Sequence, residues 1–462
     1  MSNNLTVGSP TRVIVAFTLP LLIGNLFQQL YQFTDAAVVG RMLGVNALAA
    51  VGATGSLMFL LLGFTFGAAG GLAIPIAKAY GAGDLAALKR HFANAIRVSA
   101  AIAAVITAVG VLGAKDLLTL MQTPHELMGD AKAFLIVSFA GAPIVMAYNL
   151  LASAIRALGD SRTPLYFLII SCVLNVILVV VFIGAFGWGV PGAALATVMA
   201  QLVSVILCVI LIARRMPQLR LGRADWKSQP GELGESVRPG LAMGFQMSVI
   251  AIGAVVLQYA VNGLGATSVA AFTAAMRVDQ LAVAPLGSFG VAVTTFVAQN
   301  RGAGKWGRIR AGVWRTSLVT WALALVLGLV VALLGTPIVQ VFVGDGQQEV
   351  VRLAHDYLIV QGALYPILAS VFVLRNAIQG LGATAIPTLA GFMELIVRAV
   401  VGLVLVAPLG FLGVALAAPF AWVGALLPVA VSWFGWRRAL MGQPDGAPEP
   451  APVRRLRLAR AS

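Results

Sequence analysis

The sequence predicts an all-α membrane protein of twelve transmembrane helices in two pseudo-symmetric six-helix bundles. Three observations carry that prediction: the composition, the spacing of long apolar runs, and a second half that repeats the first. Of 462 residues, 60% are hydrophobic and only 10% are charged, with a mean hydropathy of +0.95. A soluble domain carries about 25% charged and roughly 45–50% apolar residues. The balance excludes a soluble enzyme, a disordered chain and a fibrous protein. No series of alternating strands of ~10 residues is present, which excludes an outer-membrane barrel.

The apolar runs fall near 14–38, 47–76, 93–114, 132–155, 164–186, 190–213, 239–261, 267–298, 314–335, 353–377, 386–407 and 411–435. Each is long enough to cross a hydrocarbon core of about 30 Å. Without water to satisfy peptide groups, each should be helical. The first run is too long for the apolar core of a cleavable leader and reads as a span. The longest polar gap between inner helices is 214–238, which divides six spans from six. The expected organisation is therefore a first lobe (1–213), a cytoplasmic linker (214–238), a second lobe (239–438) and a disordered basic cytoplasmic tail (439–462).

Charge fixes the expected orientation. With the N-terminus inside, 25 of the 31 Lys and Arg fall on the cytoplasmic side, Arg375 among them. Four fall outside (Arg41, Lys115, Lys132, Arg352), and Arg277 and Arg398 lie within spans. Basic residues collect in cytoplasmic loops, so both termini are expected inside. The same rule accounts for the formal charge of +15 without a nucleic-acid partner.

The halves match at an offset near 221. Gly44 to Ala50 answers Gly265 to Ala271, Gly81-Ala82-Gly83 answers Gly302-Ala303-Gly304, and Gly192 to Ala196 answers Gly413 to Ala417. Ala157-Leu158-Gly159 answers Gly380-Leu381-Gly382, two residues off that register. Six spans per unit leave both units in the same orientation. Such parallel repeats bind cargo between halves and rock to expose it to alternate sides. An alternating-access carrier is the leading class on topology alone.

Ionisable groups inside a span are costly and are functional candidates by default. Asp35 lies deep in the first span. Asn25, Gln28, Gln32 and Asp35 share one helix face, a stripe suited to a water-filled cavity rather than lipid. The other reading of Asp35 is a structural cap or a helix–helix hydrogen bond. Protonation of such an acid would remove the charge that holds a cationic substrate, and a cycle is coupled only if its states bind the proton differently. In the second half, Arg277 and Asp279 sit ten to twelve residues into the eighth span. Asp279 is read as a second proton or substrate site, or as the partner of an Arg on a neighbouring helix. Glu394 and Arg398, at i and i+4, pair within the eleventh span. Tyr31 and Phe27 are candidates to stack on a planar cation, against ordinary packing. Met42, Met58, Met146, Met243 and Met247 read first as filler and second as an adaptable pocket lining. Pro20 would bend the first span.

Several stretches then resemble a known family. Leu19 to Tyr31, Asp35 and Val39-Gly40-Arg41 resemble the first helix of the multidrug and toxic compound extrusion (MATE) family. Val297 to Gly304 resembles its second-half counterpart, and Asn175 with Gly192 to Thr197 resembles its fifth and sixth helices. The resemblance covers the chain to about residue 438. It implies two six-helix bundles in a V shape and export of organic cations driven by inward proton or sodium flow. It implies that Asp35 is the coupling carboxylate, with Asn175 and Thr197 completing a network that supplies oxygens for sodium if sodium is the ion. One branch adds a second Asp, which here is Val179. Another carries an acid on the seventh helix, where this chain has Gln246 nearby. The resemblance also implies a bacterial inner membrane.

The expected function is thus an ion-coupled antiporter for organic cations or amphipathic drugs. Gln28, Tyr31, Gln32, Gln246, Arg277, Asp279, Glu394 and Arg398 are the candidate substrate residues. No cofactor beyond H+ or Na+ is expected, and the partners are the cargo and the bilayer, with the chain a monomer. A lipid-linked precursor flippase of the same superfamily is the alternative, favoured by a basic cavity, and a receptor or scaffold comes after it. Gly81-Ala82-Gly83-Asp84 lacks the Lys-Ser/Thr of a phosphate loop, which argues against ATP-driven transport. Three scattered histidines assemble no catalytic set, so no enzyme is expected. Cys172 and Cys208 lie in apolar runs and imply no disulfide.

Overall fold

The computed structural model describes residues 4–344 and 346–447, and among them no strand occurs. The helices in chain order are α1 (Pro10–Leu43), α2 (Val45–Ala53), α3 (Gly55–Ala82), α4 (Leu85–Leu112), α5 (Ala114–Leu120), α6 (Met128–Ala140), α7 (Ala142–Ala157), α8 (Arg162–Val180), α9 (Gly189–Arg215), α10 (Glu232–Asn262), α11 (Ala266–Gly302), α12 (Trp306–Val343), α13 (Gln348–Gly380), α14 (Ala385–Leu409) and α15 (Phe411–Met441). Among the described residues, eleven helical stretches are long and apolar enough to cross a membrane. The pair α6 and α7, bent by 45° at Gly141, makes a twelfth when counted as one span. The second expected span is broken into α2 and α3 at Thr54, and the fifth closes in a π-helical turn, Val181–Ala185.

The repeat is written in the backbone as well as in the letters. Left-handed glycines recur at matching positions: Gly44 (φ 89°) with Gly265 (φ 90°), Gly83 (72°) with Gly304 (66°), Gly189 (59°) with Gly410 (55°). Gly159 (90°) answers Gly382 (72°), again two residues off register. Each stands at a helix end, where a residue without Cβ enters the left-handed region at no steric cost. These turns set where one span stops and the next begins.

Two compact units divide the chain. The first holds Phe17–Ile76 and Leu85–Ala251. The second holds the stretch ending at Ala16, Ala77–Asp84, and everything from Ile252. The covalent path therefore changes unit inside α1, inside α3, between α3 and α4, and inside α10, not within the polar gap 214–238 where the sequence divides spans by count. In the first unit that gap is tied down on α4. Arg90 Nε donates to Glu232 at 2.8 Å, Arg97 donates to Ser228 Oγ at 3.2 Å and to the Trp226 carbonyl, and its guanidinium lies 5.3 Å over the Trp226 ring. In the second unit, the segment before α1 lies in a polar cradle. The Leu5 N–H donates to Gln299 Oε1 (3.0 Å), Asn300 Nδ2 to the Leu5 carbonyl (3.2 Å), Lys305 Nζ to Thr6 O (2.8 Å), and Arg308 to the carbonyls of Leu5, Val7 and Gly8.

The expectation of a disordered tail from 439 does not hold for its first residues. The helix α15 continues to Met441, and Asp445 Oδ1 accepts the Gly307 N–H at 3.0 Å while Ala447 O accepts Trp306 Nε1 at 3.1 Å. The exposed N-terminal amides of α12 want an anionic cap, and Asp445 supplies it. The remaining tail, 448–462, lies outside the described residues.

Within the second unit the ends of α3 and α11 approach with their backbones. A Cβ on Gly81 would run into the Gln299 carbonyl, and one on Gly302 into the Lys78 carbonyl. Residues 78 and 299, like 81 and 302, are equivalent in the repeat, so the two contacts exchange under the internal symmetry. Gly302→Ala is expected to force these helices apart at a cost of about 1–3 kcal/mol. A lower thermal midpoint in detergent, with Gly83→Ala and Gly52→Ala measured beside it, checks this. Gly52 meets nothing within 4 Å of an added Cβ and should be close to neutral.

Candidate functional site

In the first unit, α1, α8 and α9 meet at a polar knot. Tyr31 Oη donates to Thr197 Oγ1 at 3.0 Å, and Asn175 Nδ2 donates to the same oxygen at 3.1 Å. The Thr197 hydroxyl in turn donates to the Ala193 carbonyl, one turn back, at 3.2 Å. Asp35 stands one turn beyond Tyr31 on the same face of α1. Asp35 Oδ1 and Asn175 Oδ1 are both buried, and neither has a hydrogen-bond partner among the described residues. Buried acceptors are satisfied in the great majority of cases. Two orphaned oxygens call for a proton donor or a cation.

The surroundings of the knot are apolar. Val179, one turn past Asn175, is 1% exposed and packs in a cluster with Val39, Phe134, Ile183 and Val190. The position at which the family's second Asp would fall is thus core. The oxygens of Asp35, Asn175 and Thr197 are of the hard type that alkali cations take. Gln28 and Gln32 are exposed on α1, and Asn25 is half-buried. Met243 and Met247 pack on Gly67 and Gly63 of α3, and Met146 is fully buried, so these methionines fill space between helices. Gln246, between the first two, is 2% exposed within α10.

In the second unit, Tyr365 Oη donates to Asp279 Oδ1 at 2.8 Å. Among the described residues, the direct hydrogen-bond partner of Asp279 is thus a tyrosine of α13. The Glu394–Arg398 pair forms as the spacing requires, at 2.9 Å. It has a third member: Arg375 Nη1 reaches Glu394 Oε2 at 3.4 Å. Arg375, grouped by the sequence with the cytoplasmic loops, is 4% exposed inside α13. The local run Val371 to Gln379 is apolar enough to carry the guanidinium inward, where Glu394 offsets its charge. Arg277 stands on α11, as the sequence places it. Its side chain is exposed and lines a cleft of about 620 Å³ with Thr267, Thr273 and Gln347, at the N-terminal end of α11.

Tyr365 and Arg375 are the site residues the sequence reading missed. A signal existed for the first: Tyr357, Gln361 and Tyr365 recur at i, i+4 and i+8, a polar-tipped stripe on one face of an apolar helix. Tyr357 Oη meets Met276 Sδ at 3.5 Å, and Gln361 Nε2 donates to Ala415 O at 2.7 Å.

The fold and these knots define a multi-pass α-helical membrane protein of two related halves, each with polar groups buried among its spans. The MatE family profile matches the chain twice, over residues 20–181 and 242–404. The starting points, 242 against 20, differ by 222, close to the offset of the repeat. The chain belongs to the MatE family, whose members are transporters. It is 28% identical over 388 residues to the probable multidrug resistance protein YoeA of Bacillus subtilis (strain 168), covering 82% of each chain. It is 23% identical over 386 residues to a FAD transporter of Shewanella oneidensis, covering 80% of this chain and 82% of that one. Among solved structures, an outward-facing multidrug resistance MATE family transporter superposes with a TM-score of 0.87 at 21% identity, over 95% of this chain and 98% of that one.

Proposed function

We propose that the chain is a secondary active antiporter that exports organic cations or amphipathic drugs by alternating access, in exchange for protons, or for sodium as the alternative ion. The multidrug resistance names of its relatives support drug export. The observation that carries the coupling is the buried, unpartnered oxygen of Asp35 beside the Tyr31–Thr197–Asn175 knot. A lone acid among apolar residues changes its charge by one proton without needing further ligands. Sodium would need several oxygens, and Val179 removes one that the family offers elsewhere. The lysine and arginine asymmetry supports a cytoplasmic location for both termini. A FAD transporter among the relatives means that cargo class is best read from this chain's own residues.

The test is flux through the purified full chain in proteoliposomes. An imposed pH gradient should drive accumulation of ethidium, and ethidium should in turn release protons. An equal response to sodium alone would reassign the ion. No cation-linked dye movement under either gradient would reject the antiporter.

A further inference from the structure

We propose that residues 4–8 ahead of α1 and residues 226–229 ahead of α10 are a symmetry-related pair of tethers that fix the starts of these helices, with Arg308 and Arg97 as positioning residues for the transport cycle. The proposal deepens the exporter reading above and rests on it.

The first tether is gripped by its main chain. Four consecutive carbonyls, Leu5 to Gly8, accept from Asn300, Lys305 and Arg308, and the Leu5 N–H donates to Gln299. The segment is also shaped locally. Thr6 N and Thr6 Oγ1 both donate to Asn4 Oδ1, at 2.9 and 2.7 Å, and Gly8 turns the chain toward α1 at φ 80°. Leu5 is 1% exposed. Chain ends fray unless tied down. Here the planar fork of Arg308 serves three carbonyls, a geometry a lysine ammonium does not offer. Such a grip fixes where the backbone stands, whatever side chains it carries.

The repeat offset of 221 carries Leu5 onto Trp226 and Gly8 onto Gln229, in the polar stretch ahead of α10, and carries α4 onto α12. That stretch is held from α4 as residues 5–8 are held from α12. Arg97 donates to the Trp226 carbonyl and to Ser228 Oγ and lies over the Trp226 ring, while Ser228 Oγ donates to Asn94 Oδ1. The donors themselves are not repeated: Asn300, Lys305 and Arg308 fall on Ala79, Asp84 and Ala87. Unlike residues therefore hold equivalent pieces of backbone on equivalent helices.

Each tethered helix then leaves the unit that holds its start. The path of α1 passes from the second unit to the first between Ala16 and Phe17, and that of α10 from the first to the second between Ala251 and Ile252. Past its crossing α1 is held again, by the Tyr31–Thr197 bond, and carries Asp35. A helix fixed at both ends has to yield in between when the halves rock. Pro20 has no N–H to give the Ala16 carbonyl, so a rung of the helix is missing at the crossing. The tether thus turns rocking into movement of the Asp35 segment, where an untied start would slide.

Lys305→Gln with Arg308→Gln, and separately Arg97→Gln, should each lower pH-driven ethidium accumulation in proteoliposomes at least fivefold. Amide hydrogen exchange should quicken more than tenfold at residues 5–16 in the first variant and at 226–240 in the second, and stay as in wild type across α13 to α15. A crosslink separates tethering from local stability. In a Cys172→Ala, Cys208→Ala background, Val7→Cys with Arg308→Cys removes the guanidinium and places one thiol at the exposed position 7. Joining the two thiols with a bismaleimide should restore export to at least half the rate of the cysteine-free parent. Wild-type export by the released variants, or export stopped rather than restored by the crosslink, would overturn the proposal. Unchanged exchange at 5–16 would overturn it as well, even in a chain that moves no ethidium. Absence of ethidium movement in wild type, with exchange quickened as expected, would reject the exporter and leave the tethers standing.

Discussion

Asp35→Asn is expected to abolish ion-driven export while leaving the fold in place. Asparagine has the size of the protonated acid and cannot lose a proton. The variant therefore lacks the change in charge that lets the two conformations bind the ion differently. Coupling energies of about 1–3 kcal/mol correspond to roughly 5–150-fold in affinity. Loss of that term should bring gradient-driven ethidium accumulation in proteoliposomes down to the passive leak. The thermal midpoint should hold or rise, because Asp35 Oδ1 has no hydrogen-bond partner to lose. Thr197→Val is the companion variant. It deletes the oxygen that accepts from both Tyr31 and Asn175, so it should lower the thermal midpoint and slow export without abolishing coupling. Wild-type coupled rates in Asp35→Asn would remove that acid from the mechanism.

Glu394→Gln is expected to be the most destabilising single substitution within the second unit. Glu394 is 7% exposed and is shared by Arg375 and Arg398. Breaking a buried ion pair by removing one partner costs about 3–5 kcal/mol, because the remaining charge stays buried. Here one deletion takes the counter-charge from two guanidiniums. The double variant Glu394→Gln with Arg398→Gln restores the balance by one charge and should recover part of the loss. Thermal unfolding in detergent and yield of folded protein both report the effect. A Glu394→Gln protein as stable as wild type would mean that the arginines are compensated elsewhere.

The architecture was legible because a bilayer allows so few solutions. Twelve apolar runs had to be helices, since peptide groups in hydrocarbon have no other partner. The repeat was equally visible: the glycines that match between halves are those whose left-handed turns end helices, and such turns accept few other residues. Asp35 could be singled out for the same reason, since a carboxylate in a span has to be accounted for. The Glu394–Arg398 pair followed from a spacing of four on a helix.

Contacts between helices distant in the chain were decided only by the tertiary structure. Nothing in the letters joins Tyr365 to Asp279 across 86 positions, or brings Arg375 to Glu394. The hydrogen bonds that fasten Leu5 to Gln299 and Asn300 are likewise invisible along the chain. Hydrophobic periodicity says that a face is covered, not by what. Sequence alone determined the helices, the duplication and the acids within spans that must be explained. Packing chose which buried charges neutralise each other, because in a low-dielectric interior that outcome depends on ångström-scale placement that no linear pattern encodes.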